Sequence, residues 1–129
     1  MNTQTEYGLQ VIITSGREAC ERAIVGFGLA LAAAATGTQV VVWLSMRGAE
    51  WAVKTQGHQS DVAGFPSVAE YIGMIQEHGG RIELCSTCIG NACMLQGVGD
   101  GKGELRDGVQ PVGLTTVAAR MEQVPTVTF

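Results

Sequence analysis

Three cysteines fall within nine residues, Cys85, Cys88 and Cys93, spaced Cys-x-x-Cys-x-x-x-x-Cys. A thiolate is both a nucleophile and a metal ligand, so thiols this close can support dithiol exchange, persulfide chemistry or ligation. Zinc asks for four ligands. The cluster supplies three, and Cys20, His58 or His78 would have to complete the set for zinc or iron. A thioredoxin-type dithiol shares the Cys-x-x-Cys spacing, but here the motif follows a late strand. The remaining alternative is that all three thiols are small buried hydrophobes. That reading is preferred for Cys20 alone, which shares a helical stripe with Ile24, Phe27 and Leu31.

Position sharpens the chemistry. Arg81 to Cys85 reads as a short strand, which places Cys85 at a carboxyl end, where open α/β sheets gather ligands and reactive groups. Ser86 and Thr87 can cap a brief helix from Cys88 to about Leu95. Its unpaired N–H groups and dipole would favour a thiolate. His58 sits in a polar loop and His78 beside the Gly79-Gly80 helix stop, so neither is given a catalytic role. The glycine run Gly97 to Gly103 fails as a phosphate cradle: Gln96 stands where a Walker motif needs its first glycine, and Lys102 where a Gly-x-Gly-x-x-Gly needs its third. It reads as a surface loop.

The elements that must hold the cysteines are legible in outline. Leu9 to Thr14 is an apolar run ending at Ser15-Gly16, a first buried strand. Ser15 and Glu18 form a Ser-x-x-Glu capping box that opens a helix through Ala34, small and apolar on both faces and therefore expected to be buried on two sides. Gly37 stops it, and Gln39 to Ser45 is a second strand. Gly48 to Pro66 reads as loop, with Trp43 in the core and Trp51 at an interface. Ser67 to Glu70 is a second capping box, starting a helix with Val68, Tyr71, Ile72 and Ile75 on one face. Gly113 to Met121 reads as a last helix and Val124 to Phe129 as a final strand. Alternating strands and helices predict a three-layer α/β/α sandwich with a mainly parallel sheet of about five strands, in one domain over residues 1–129.

Composition excludes several function classes. The chain has 129 residues, 46% hydrophobic and 16% charged, enough for a core without a metal or disulfide staple. Eight basic residues against twelve acidic ones give a net charge of −4, and the basic residues are scattered singly, so no nucleic-acid partner is expected. Ala23 to Met46 carries no charge and is long enough to cross a bilayer, but Thr36-Gly37-Thr38-Gln39 breaks it, so no membrane span is expected. The polar start lacks a secretory pattern, which predicts a cytoplasmic protein with reduced thiols. No cofactor is expected.

The order of these features resembles the DsrE/DsrF-like family of small sulfur-relay proteins. The matching pieces are the first strand and Ser15-Gly16 turn before an alanine-rich helix, Val40 to Ser45 with the following turn and Ala52-Val53-Lys54, and Gly79 through Cys88. Gly108-Val109, Val112-Gly113-Leu114, Ala118-Ala119 and Val127-Thr128-Phe129 complete the match, and the cysteine directly after the late strand is its most specific part. The resemblance implies a homotrimer or homohexamer whose strand-end cysteine carries sulfane sulfur as a persulfide. It also implies partners in the form of a sulfur donor and an acceptor thiol protein. On position Cys85 matches the family cysteine, with Cys88 or Cys93 receiving or resolving the sulfur. Many relatives continue with an Arg-Gly pair where this chain has Ala92-Cys93.

Overall fold

A computed structural model describes residues 7–89 and 104–129. Its strands are β1 (Leu9–Ile13), β2 (Val40–Leu44), β3 (Arg81–Cys85), β4 (Gln110–Val112) and β5 (Thr126–Thr128), and its helices α1 (Cys20–Ala35), α2 (Val68–Glu77) and α3 (Leu114–Met121). The strands form one sheet in the order β4-β3-β2-β1-β5, and every pairing is parallel. The chain steps outward from β1 to β4, then returns over the sheet through α3 to lay β5 beside β1. Right-handed crossovers therefore put α1 and α2 on one face and α3 on the other, which is the expected three-layer α/β/α fold.

Central position explains the β-branched run of β2, all five of whose residues are buried. Pleating sends Val11, Ile13, Val42, Leu44, Ile82 and Leu84 to one face, where they join Ile24, Phe27, Ile72 and Ile75 in the core. The Ser67–Glu70 capping box forms as read, with Ser67 Oγ accepting from the Glu70 N–H at 3.2 Å and Glu70 Oε1 from the Ser67 N–H at 2.8 Å. Gly79, at φ +87°, then reverses the chain after the C-cap residue His78.

Several expectations are corrected. The Ser15–Glu18 capping box does not form: Ser15 Oγ is buried without a partner, and the Glu18 carboxylate accepts the Gly16 N–H. Glu50 takes the Arg17 N–H at 2.7 Å, so a 3-10 turn (Arg17–Ala19) precedes α1. That helix is not buried on two sides, since Val25 and Leu29 are 57% and 40% exposed, and Cys20 is only partly buried. Overlapping the start of the stretch read as loop, Met46–Ala52 is a 3-10 helix. Trp51 lies in it fully buried, not at an interface, and its indole N–H donates to the Ser15 carbonyl at 2.9 Å. Arg106 Nε donates to the Trp51 carbonyl at 2.7 Å and anchors this segment from the far side. Sequence reading missed β4 because Pro111 sits in it; an edge position tolerates the missing N–H. The final strand is also shorter than read.

The face toward α3 buries polar groups beside Val41 and Trp43. Glu83, in a strand expected to alternate between solvent and core, is fully buried and holds Arg120 of α3 in a two-pronged pair at 2.6 and 2.7 Å. Gln10 on β1 joins it, donating to the Val117 carbonyl at 3.3 Å and to Thr126 Oγ1 at 3.1 Å. The Tyr7 ring lies 5.1 Å from the Arg120 guanidinium carbon. Removing one charge strands the other in a dry site. Arg120→Met is therefore expected to cost about 3–5 kcal/mol in urea unfolding, while Glu83→Met with Arg120→Met recovers most of the loss. A loss in the double variant equal to the sum of the Arg120→Met and Glu83→Met losses would show that the two charges are not coupled.

Candidate functional site

Residue Cys85 ends β3, and the chain turns at once into a single 3-10 turn, Ser86–Cys88. In a 3-10 turn residues i and i+3 eclipse, so Cys88 folds back beside Cys85. Both are free thiols, 4% and 5% exposed. The helix expected from Cys88 does not start there, because Ile89 is already extended at ψ 129°. Thr87 is therefore no helix cap. Its hydroxyl lies 3.2 Å from the Cys85 sulfur. Cys93, the rest of the expected helix to Leu95 and the glycine run lie outside the described residues.

Two further residues reach the pair from the end of β2. The parallel register sets Leu44 beside Leu84, so the next residue, Ser45, comes alongside Cys85 and on the same face. Ser45 is 6% exposed, and its hydroxyl lowers the pKa of both thiols. Met46 follows at φ 54°, the left-handed region, and its N–H lowers the pKa of Cys88. Sequence reading did not single out Ser45, Met46 or the Thr87–sulfur contact. The signal was the position of Ser45 directly after an apolar strand, which acquires meaning only once β2 and β3 are known to be parallel neighbours.

The two thiols are held unequally. Burial opposes charge on Cys85, but hydrogen bonds from the Thr87 hydroxyl, the Cys88 thiol, the Thr87 N–H and the Ser45 hydroxyl outweigh it and bring its pKa below the ordinary value. For Cys88 burial dominates; the Met46 N–H and Ser45 offset it only in part, while the neighbouring Cys85 sulfur adds to it, so its pKa is raised. Of the two, Cys85 is therefore the thiol that ionises first, beside a Cys88 that holds its proton longer. Local donors achieve what the helix dipole was expected to do.

The other residues considered for a metal do not complete a set with this pair. Among the described residues no group of three or more His, Cys, Asp or Glu side chains could hold a metal ion. His58 is exposed, with Nε2 2.7 Å from the Lys54 carbonyl. It lines a polar cleft of about 410 Å³ with Arg17, Gln59 and Asp61, away from the two sulfurs. His78 caps α2.

The inequality predicts an order of reaction. As pH rises through about 6 to 9, iodoacetamide should label Cys85 before Cys88, because the lowered thiol forms its thiolate first. Thr87→Val, which removes the hydroxyl but keeps the N–H, should move the onset for Cys85 to higher pH and leave that of Cys88 nearly in place, as read by peptide mass spectrometry. Identical onsets in the unmodified protein would contradict the asymmetry.

No curated protein matches the chain. Among solved structures, the ychN protein from E. coli superposes with a TM-score of 0.73 at 17% identity, over 95% of this chain and 99% of that one. A conserved protein of unknown function from Bacteroides thetaiotaomicron superposes with a TM-score of 0.56 at 15% identity, over the full length of both chains. At these identities the likeness is one of fold. The DsrE/DsrF-like family model matches residues 9–129, from the first residue of β1 to the end of the chain, and takes in the strand-end thiol pair; the chain belongs to the DsrE/DsrF-like family.

Proposed function

We propose that this protein is a sulfur carrier of the sulfurtransferase type, acting in sulfur relay, with Cys85 as the residue that holds sulfane sulfur. The observation that carries the reading is the thiol pair itself: a buried strand-end sulfur 3.2 Å from the Thr87 hydroxyl, with a second buried free thiol three residues on. Membership of the DsrE/DsrF-like family supports it.

In the loading step the Cys85 thiolate attacks the outer sulfur of a donor persulfide, R–S–SH. A bond forms between Cys85 Sγ and that sulfur, the donor S–S bond breaks, and its electron pair leaves on RS⁻. The Cys85 persulfide then passes its outer sulfur to an acceptor thiolate in the same way, which restores the Cys85 thiolate. Cys88 is the nearest described thiol for receiving or resolving the sulfur, and it attacks as a thiolate once the Cys85 persulfide has formed and its proton has passed to solvent. An intramolecular partner raises the effective concentration of the second thiol. Cys93 is proposed as a further such thiol from its spacing in the sequence alone.

The test is intact mass spectrometry after incubation with a polysulfide and again after reduction. A gain of roughly 32 Da, one sulfur atom, removed by reductant and absent from Cys85→Ser, is the expected result. Full loading of Cys85→Ser would overturn the assignment. A metal mass seen only under native conditions, with no sulfur adduct, would move the cluster to zinc or iron ligation.

Assembly into a homotrimer or homohexamer belongs to the same proposal. Val25 and Leu29, one turn apart on α1, leave apolar surface exposed in the single chain. Light scattering coupled to size exclusion should therefore give a mass several times 13.5 kDa, and a monomer at micromolar concentration would end this part of the reading.

A further inference from the structure

We propose that the cleft between α2 and residues 54–58 binds a small organic oxyanion, a carboxylate or a phosphate ester, whose charged head meets Arg106 and Lys54 and whose apolar body lies over Gly73. The site shares no lining residue with the thiol pair and stands apart from the sulfur-carrier reading.

Tertiary structure assembles the cationic side. The basic residues are scattered singly along the chain, but an antiparallel bridge between Val53 and Leu105 brings two of them together. The Lys54 N–H donates to the Glu104 carbonyl at 2.7 Å and the Arg106 N–H to the Ala52 carbonyl at 2.9 Å, which clips the two segments side by side. Alternation across the bridge sends Lys54 and Arg106 to one face as diagonal neighbours. Arg106 is partly buried. Two of its side-chain N–H donors serve the carbonyls of Trp51 and Gln56; the rest have no acceptor among the described residues. The Glu83–Arg120 bridge is the only ion pair among those residues, so the exposed carboxylates of Glu104 and Asp107 pair with neither cation. Burial draws the Arg106 pKa below its ordinary value, with no carboxylate acting in the opposite direction, yet a guanidinium keeps its charge. A partly buried cation beside a second cation is an arrangement that a bound anion would relieve.

The opposite wall is open. The cleft holds about 280 Å³, with Lys54, His58 and Arg106 on one side and Ala69, Gly73 and Gln76 of α2 on the other. Two ties hold the walls in place: the Ala69 N–H donates to the Gly57 carbonyl at 2.9 Å, and Gln76 Nε2 to the Asp107 carbonyl at 3.0 Å. Gly73 lies between these ties. A glycine inside a helix costs stability relative to alanine, and packing gives no reason for this one, because a β-carbon there would meet nothing within 4 Å. Glycine serves where a ligand must approach the backbone closely. The volume is near the lower end of the range for small-molecule pockets. A bare inorganic ion would leave the space over Gly73 unused, so the cleft calls for an apolar body as well as a charged head.

The experiment follows backbone amide NMR signals of the full chain as phenyl phosphate, benzoate or inorganic phosphate is added at constant ionic strength. Gly73→Ala, Gly73→Leu and Lys54→Gln are titrated beside the unmodified protein. Phenyl phosphate or benzoate should shift the Lys54, Gly73, Gln76 and Arg106 amides saturably, and the tighter of the two names the head group. Gly73→Leu, which fills the space, should abolish the shifts, whereas Gly73→Ala leaves room and should retain them. Both variants should melt no lower than the unmodified protein, since alanine and leucine are better helix formers than glycine. Lys54→Gln should weaken binding about threefold, the effect of losing an exposed charge contact. Absence of saturable shifts with both organic anions overturns the proposal. So do shifts undiminished in Gly73→Leu, or inorganic phosphate binding as tightly as the organic anions. A change of mass in light scattering for Gly73→Leu would also overturn it, by assigning the open space to a contact between copies of the chain.

Discussion

The pairing of β2 with β3, parallel and in a register that sets Leu44 beside Leu84, is the constraint on which the site depends. Parallel pairing brings the carboxyl ends of neighbouring strands to the same edge, so the turns that follow them meet there. One residue beyond the paired segment, Ser45 and Cys85 come side by side on one face. A slip of one residue would send the two side chains to opposite faces and dissolve the cluster. The apolar residues of these strands guard against that slip, because Val42, Leu44, Ile82 and Leu84 must all meet the core beneath α1 and α2. The register that buries the core therefore also assembles the sulfur site.

The other face of the sheet follows a different logic. Glu83, Gln10 and Thr126 put polar groups where α3 covers them, and Arg120 binds Glu83 through both guanidinium nitrogens. A buried ion pair adds little net stability over an apolar pair of similar shape, and Arg120 Nε is left without a partner. Its geometry is nevertheless demanding. Two parallel hydrogen bonds admit one orientation of α3 over β3, and Gln10 ties the same helix to β1 through the Val117 carbonyl. The returning chain is thereby fixed across three strands by directional contacts, although α3 has a single buried side chain, Val117.

Around the thiols, charge is managed without formal charges or a helix terminus. The single 3-10 turn from Ser86 to Cys88 is too short to develop a useful dipole, and the selectivity comes from the number of donors aimed at each sulfur. Cys85 collects donors from its own turn, whereas for Cys88 burial and a neighbouring sulfur prevail. This explains how two chemically identical side chains, three residues apart and similarly buried, come to differ in acidity.

How much of this was legible differs between the fold and the site. Alternating strand and helix patterns, the Ser67–Glu70 capping box and the apolar run of β2 determined the α/β class, because periodicity and capping are local properties of the chain. The spacing Cys-x-x-Cys after a short strand likewise determined that two thiols would stand at a carboxyl end. The failed capping box at Ser15 and the misplaced Trp51 show the limit: Glu50, more than thirty residues away, takes the Arg17 N–H, and a buried indole pairs with the Ser15 carbonyl. The same limit hid β4, whose proline is acceptable only at a sheet edge, and the burial of Glu83, which depends on a partner in α3. Sequence by itself placed the thiols; which of them ionises first was decided by the folded structure, because packing buries both sulfurs while the 3-10 turn brings the Thr87 hydroxyl and N–H and the Cys88 thiol to Cys85.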